Sequence, residues 1–245
     1  MINSFIALLD SGIGGISVLS ELVKKFPNER FLYFGDNFNA PYGNKSKQEL
    51  LSLTLKNLNY IFKYNVKVLV LACNTLSVNL LGKLQKICPT EIIGTFPPVE
   101  RFLVKGEKVL LLSTEKTAEN YQGIKNLDVV GFKNLVCDIE KNAFNLEKLN
   151  FENHIDYHAH NIIHKKGYYD TVILGCTHYL FIKNKIFNHF CPQKISSGND
   201  FVVSRLEKFL SKQKTQVNYY QNEPLFIGDC SKFNHNFYVN SGHLW

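Results

Sequence analysis

Two runs of this chain are apolar up to a terminal cysteine and lie 103 residues apart: Val68-Leu69-Val70-Leu71-Ala72-Cys73 and Thr171-Val172-Ile173-Leu174-Gly175-Cys176. A short, uninterrupted apolar run reads as a strand buried on both faces, which a parallel sheet covered by helices requires. The same offset carries Leu8-Leu9-Asp10-Ser11 onto Leu111-Leu112-Ser113-Thr114. Each half therefore has a strand ending in a small hydroxyl-bearing loop and, 63 residues later, a strand ending in cysteine. Two coincidences at one offset point to an internally duplicated α/β unit.

The rest of the chain fits that frame. Strand-like runs at residues 4–9, 30–34, 66–72 and 91–94 alternate with helical patterns at 16–26, 46–64 and from Asn74 to before Pro89. The alternation restarts with strands at 108–112, 129–136 and 170–174, and helices at 116–122, 153–165 and from Cys176 to about Phe190. The fold class expected is two pseudo-symmetric α/β domains with mainly parallel sheets facing a central cleft. Residues 1–95 with about 205–245 would form the half carrying Asp10 and Cys73. Residues 96–204 would form the half carrying Cys176 and His178. Ligands of such sheets sit at the carboxyl ends of the strands, which sets the two cysteines on opposite walls of one cleft.

Each of those cysteines stands where a strand ends and a helix is expected to start. Free N–H groups there favour a thiolate and attract carboxylates, so a lowered thiol pKa is expected. Taken singly, either cysteine reads as a small buried hydrophobe. As a matched pair, followed by Asn74-Thr75 and Thr177-His178, they read as a two-sided acid–base site. His178, at a helix start that favours its neutral form, is placed to relay a proton to a thiol.

The loop Asp10-Ser11-Gly12-Ile13-Gly14-Gly15 allows backbone N–H groups close to an anion, yet lacks the G-x-G-x-x-G and G-K-[ST] patterns of nucleotide binders. Asp10 reads as a helix cap or as a charged partner for a cysteine across the cleft. The loop from Gly35 to Gly43 is rich in turn formers and reads equally well as a plain surface turn. His154, His158, His160 and His164 include i, i+4 pairs but no companion acid of the H-E-x-x-H kind, and no metal site is expected.

Composition narrows the class. The chain is 45% hydrophobic and 20% charged, as soluble globular proteins are. It has no recognisable export signal and no membrane-length apolar run, so a cytoplasmic protein with reduced thiols is expected. The net charge of +7 is spread over scattered lysines with no run beyond two, which argues for solvated helix faces over a nucleic-acid site.

The motifs together resemble the glutamate racemases of the aspartate/glutamate racemase superfamily. Asp10 to Gly15 is similar to the D-S-G-[IV]-G-G opening, Pro41-Tyr42-Gly43 to P-Y-G, Ala72 to Thr75 to A-C-N-T, and Leu174 to His178 to L-G-C-T-H. The order is right, and the four cover almost the whole chain. The resemblance implies inversion at the α-carbon of glutamate without cofactor. One cysteine thiolate removes a proton while the other thiol delivers one from the opposite face. By analogy Asp10 assists Cys73 and His178 assists Cys176. Asp10, Ser11, Pro41, Tyr42, Gly43, Asn74, Thr75, Thr177 and His178 would contact substrate, with Thr114 and Thr117 matching a T-x-x-T segment. Glu140 matches a family glutamate near the second half of the site. The family also implies supply of D-glutamate for peptidoglycan, a small-molecule partner only, and a homodimer.

Three segments depart from the pattern: Gly94 to Glu100, Tyr179-Leu180 after His178, and Ser196-Ser197-Gly198. None holds a proton donor of the expected mechanism. The competing readings are a racemase for aspartate or a hydantoin, a hydrolase with one nucleophilic cysteine, and a catalytically idle binding module. A one-cysteine hydrolase would need only one of the pair.

Overall fold

The structure is a computed structural model, describing residues 4–155, 166–213 and 223–240. The first half contains β1 (Phe5–Asp10), α1 (Ile16–Lys25), β2 (Phe31–Gly35), α2 (Lys47–Ile61), β3 (Val66–Leu71), α3 (Asn74–Leu84) and β4 (Glu91–Gly94). After α4 (Val99–Leu103), the second half contains β5 (Val109–Thr114), α5 (Glu115–Ala118), β6 (Leu127–Phe132), α6 (Leu135–Lys141), β7 (Thr171–Leu174), α7 (Lys183–Phe190), β8 (Lys194–Ser197) and α8 (Asn199–Ser211). The chain then contributes β9 (Leu225–Ile227) and α9 (Ser231–Asn240).

Two parallel sheets result, ordered β4-β3-β1-β2-β9 and β6-β5-β7-β8. The duplication is visible in their ladders. Leu9 pairs with Leu71 and, 103 residues on, Leu112 pairs with Leu174. Leu71 pairs with Gly94, and Leu174 with Ser197 at the same offset. Only β6 leaves the offset: Leu9 pairs with Phe34, whereas Leu112 pairs with Val130. The connection before β6 is therefore shorter than the one before β2.

Every residue of β1 is buried, as a strand covered on both faces requires. Its period-2 alternation splits the core. Ile6 and Leu8 join a central cluster with Leu110, Leu112, Val172 and Tyr179, so the two sheets share one core across α1. Ala7 and Leu9 face the other way, with Leu32, Leu58, Leu71 and Leu80 under α2 and α3. Ile16, Leu19 and Leu22 form the inward stripe of α1 and are fully buried. Truncating one such side chain to alanine costs about 2–5 kcal/mol.

Local signals explain several boundaries. Ser46 and Glu49 close a capping box at the start of α2, with Glu49 N–H donating to Ser46 Oγ at 3.2 Å and Ser46 N–H to Glu49 Oε2 at 2.8 Å. Cys191 takes a left-handed conformation (φ 48°) at the end of α7, just before Pro192.

Three sequence expectations are corrected. The strand expected at 129–136 runs over Leu127–Phe132, because Asn134 starts α6. The helix expected at 116–122 is a single turn, Glu115–Ala118. The segment after Cys176 is a 3-10 helix over Thr177–Ile182 before α7 begins. Of the helix expected at 153–165, Phe151–His154 is a 3-10 turn, and residues 156–165 lie outside the described residues, His158, His160 and His164 among them. Among the described residues, no helix is long and apolar enough to cross a membrane.

Candidate active site

The carboxyl ends of both sheets meet at a small, tightly closed cavity of about 10 Å³. Its lining includes Cys73 and Cys176 together with Ser11, Tyr42, Thr75, Thr114, Thr177 and His178. Pro41, Gly43 and Asn74 also reach it, as does Val136, which the sequence did not single out. The first half thus supplies one cysteine and the second half the other.

Cys73 is the residue before α3, and the N–H groups of Thr75 and Leu76 face its sulfur, the arrangement expected to favour a thiolate. Burial outweighs them. Desolvation first, then the neighbouring Asp10 carboxyl, push the Cys73 thiol well above the ordinary cysteine value. The expected lowering of its pKa is therefore overturned: Cys73 is a thiol. Asp10 is itself fully buried at the end of β1. It accepts from Gly12 N–H at 3.1 Å and Thr177 Oγ1 at 3.3 Å. Burial raises its pKa, with His178 pulling the other way.

The second cysteine has a different setting. A 3-10 helix rather than an α-helix starts after it, and an imidazole faces its sulfur. His178 Nδ1 lies 3.8 Å from Cys176 Sγ, and its Nε2 lies 2.7 Å from Glu140 Oε1. Burial opposes charge on His178, but hydrogen bonds to Cys176 and Glu140 prevail and hold its pKa well above the ordinary histidine value. This overturns the expectation of a neutral imidazole, for the helix start was inferred without the carboxylate that comes from α6.

Glu140 is the residue the sequence placed least firmly. It crosses to the first half, where Oε1 also accepts Ile13 N–H at 2.8 Å and Oε2 accepts Asn37 Nδ2 at 3.1 Å. A Cβ on Gly12 would come within 1.8 Å of Glu140 Oε1, so only glycine permits this approach.

On the opposite rim, Thr75 of α3 meets Thr114 and Thr117 of the second half. The Thr75 and Thr114 hydroxyls are 3.1 Å apart, and those of Thr75 and Thr117 3.2 Å apart. Thr114 also caps α5 by accepting Thr117 N–H at 3.3 Å. Asn74 donates from Nδ2 to Thr95 O at 3.3 Å, tying the start of α3 to the end of β4.

The loop that could pass for a surface turn is built around a buried carboxylate. Asp36 accepts from Tyr42 Oη at 2.6 Å, Asn57 Nδ2 at 2.9 Å and Asn39 Nδ2 at 2.8 Å. This places Pro41-Tyr42-Gly43 against the cavity. Asp36, Asn37, Asn57 and Asn234 went unmarked in the sequence. For Asp36 the available signal was an acid directly after a strand end; Asn57 and Asn234 had none.

What the geometry provides is two thiols at one small cavity, one beside a buried carboxyl and one beside an imidazole–carboxylate pair. No protein-family model matches the chain. Glutamate racemase from Buchnera aphidicola is 31% identical over 240 residues, 93% of this chain and 90% of the relative. The chain belongs to the glutamate racemase family. The glutamate racemase of Clostridium acetobutylicum is 33% identical over 228 residues, 86% of this chain and 85% of that one. Among solved structures, a glutamate racemase from Bacillus anthracis superposes with a TM-score of 0.74 at 26% identity, covering 93% of this chain and 90% of its own. As a member of the glutamate racemase family the protein is an isomerase, an amino-acid racemase acting on a small-molecule substrate. The four motifs of the sequence reading all fall at the cavity or on the loop beneath it.

Proposed function

We propose that this enzyme interconverts L- and D-glutamate by two-base proton transfer between Cys73 and Cys176. The observation that carries the reading is that the two thiols line one small cavity from opposite halves, each with its own proton-handling partner. In one direction, the Cys176 thiolate takes the α-proton, breaking the Cα–H bond. The Cys73 thiol gives its proton to the other face of Cα, forming the new Cα–H bond. The reverse direction exchanges the roles. His178, held cationic, balances the Cys176 thiolate, and Asp10 accompanies Cys73.

A carbanion at Cα needs its charge stabilised in a water-poor site. The N–H groups at the start of α3 and the hydroxyls of Thr75, Thr114 and Thr117 are the donors at hand. Ser11, Pro41, Tyr42, Gly43, Asn74 and Thr177 complete the substrate pocket in this reading. The glutamate assignment follows the relatives' substrate. D-glutamate for peptidoglycan synthesis in the cytoplasm is the role it implies.

The test is exchange at Cα of each glutamate enantiomer in D2O, followed by NMR and chiral chromatography without added cofactor. Racemisation is expected for the wild type, and its loss for Cys73→Ser and Cys176→Ser. Full activity in either single variant would overturn the two-base assignment. Turnover of aspartate in place of glutamate would overturn the substrate.

A further inference from the structure

Beyond the residues that reach the cavity, a hydrogen-bonded line runs from Cys176 to α9. Cys176 Sγ faces His178 Nδ1, His178 Nε2 faces Glu140 Oε1, Asn37 Nδ2 donates to Glu140 Oε2, and Asn234 Nδ2 donates to Asn37 Oδ1 at 2.9 Å. We infer that Asn37 and Asn234 are positioning residues for racemisation, which fix the Glu140 carboxylate on His178 and so bring α9 into the control of the Cys176 side.

The direction of every bond in this line is forced by its charged end. An ionised carboxylate only accepts, so Asn37 must turn its NH2 toward Glu140. Its carbonyl oxygen then faces Asn234, which must donate in turn. Turning either amide over would set acceptor against acceptor or donor against donor. At the other end, Glu140 Oε1 requires the proton of His178 on Nε2. That leaves Nδ1 as the nitrogen that exchanges a proton with Cys176. The tautomer on which the proton relay depends is thus set from the far end of the line.

Two further observations show that this contact is built. Asn234 is fully buried, yet its Oδ1 has no partner among the described residues. An unpaired buried carbonyl is unfavourable, and the amide nonetheless keeps its NH2 on Asn37. The approach also requires Gly35, where a Cβ would lie 2.7 Å from Asn234 Nδ2 and 2.6 Å from Gly12 O. The last residue of β2 is thereby restricted to glycine at the point where the two asparagines meet.

The inference rests on the proposed role of Cys176, so its test is read in an order that separates the two. Loss of Cα exchange in Cys176→Ser establishes the reading; the asparagine variants then test the line. Asn37 is half-buried, and Asn37→Ala removes one donor with little packing loss. Asn234→Asp keeps the shape but replaces the donor by an acceptor. Besides Cys176, the titratable groups facing Glu140 and His178 are Asp10 of β1, Tyr33 of β2 and Cys230 just before α9. All of them are unchanged in these variants.

Both variants are expected to lower kcat at least about tenfold with KM changed less than about twofold. The alkaline limb of the kcat/KM profile should move to lower pH, because a less fixed Glu140 supports the His178 cation less well. A wild-type profile in folded Asn37→Ala would overturn the inference. So would an activity loss that only tracks a lowered melting temperature, with the pH limb unmoved. Should Asn234→Asp not fold, Asn37→Ala alone decides the matter.

Discussion

Glu140 reaches His178 at 2.7 Å from a helix of the second half, while the same oxygen takes the Ile13 N–H at 2.8 Å from the first. Three donors converge on this carboxylate: the Ile13 amide, the His178 ring and the Asn37 side chain. A glutamine at 140 has one acceptor oxygen and would point its NH2 at a donor. Glu140→Gln should therefore lower kcat about 10²-fold in both directions, in the range that a positioned acid–base group contributes. The measurement is initial racemisation from each enantiomer at saturating substrate. Rates within twofold of wild type would show that His178 needs no carboxylate.

The pH dependence of stability follows from the same residue. The folded pKa of His178 is raised above its unfolded value of 6.5. The folded state therefore binds the proton more tightly, and its stabilising contribution is complete below 6.5. It is lost as pH rises from there through the folded pKa. Asp10 and Glu21 are also raised, from 3.8 and 4.5, and lose their contributions in the same direction at lower pH. Burial is the first cause for each of these two acids. The melting temperature is expected to fall between pH 6.5 and pH 9, and His178→Gln should flatten that fall. A wild-type melting temperature that rises across this range would contradict the assignment of His178 as a cation.

How much of this was legible beforehand depended on which force wrote the signal. The strands carrying Asp10, Cys73 and Cys176 were legible because burial on both faces leaves an unbroken apolar run. The offset of 103 residues survived because register in two strand pairs of each half cannot drift without exposing one face. The end of β6 was misplaced because Val129 to Phe132 and Leu135-Val136 are apolar, and only the turn at Lys133-Asn134 separates strand from helix. The pKa directions were misread for a different reason. A helix start was weighed for Cys73, but the desolvation that outweighs it depends on the closing of two halves over one cavity. Glu140 and Asn234 act at sequence distances of 38 and 197 residues from His178 and Asn37. No local pattern encodes such contacts.

Thiol chemistry offers an independent check on burial. Cys191 is exposed at the end of α7, whereas Cys73 and Cys176 are buried. With its pKa raised by burial and by Asp10, the Cys73 thiol should resist alkylation. Limiting iodoacetamide at pH 7.5 is expected to label Cys191 first, with racemisation unchanged, as read by peptide mass spectrometry and an activity assay. Labelling of Cys73 as fast as Cys191 would mean that the cleft stands open in solution.

Asp36 sets the remaining prediction. Its carboxylate collects the Tyr42 hydroxyl and the amides of Asn39 and Asn57, and Asn57 Nδ2 also lies 3.0 Å from Tyr42 Oη. Together they fold the 3-10 turn Tyr42–Asn44 against Thr114, so the carboxylate holds the first half's loop onto the second half's wall. Asp36→Ala leaves three donors around an empty site, two of them on buried side chains. At about 1–3 kcal/mol for an unpaired buried group, a loss of about 3 kcal/mol is expected. Tyr42→Phe removes one donor and leaves Asp36 its two amides, so a loss of about 1 kcal/mol is expected. Because Tyr42 borders the cavity, both variants should raise KM for glutamate more than they lower kcat, the reverse of the pattern expected for Glu140. Denaturant unfolding gives the stabilities, and steady-state kinetics the split. An Asp36→Ala protein as stable as wild type, with unchanged KM, would mean that the loop holds its place without the carboxylate.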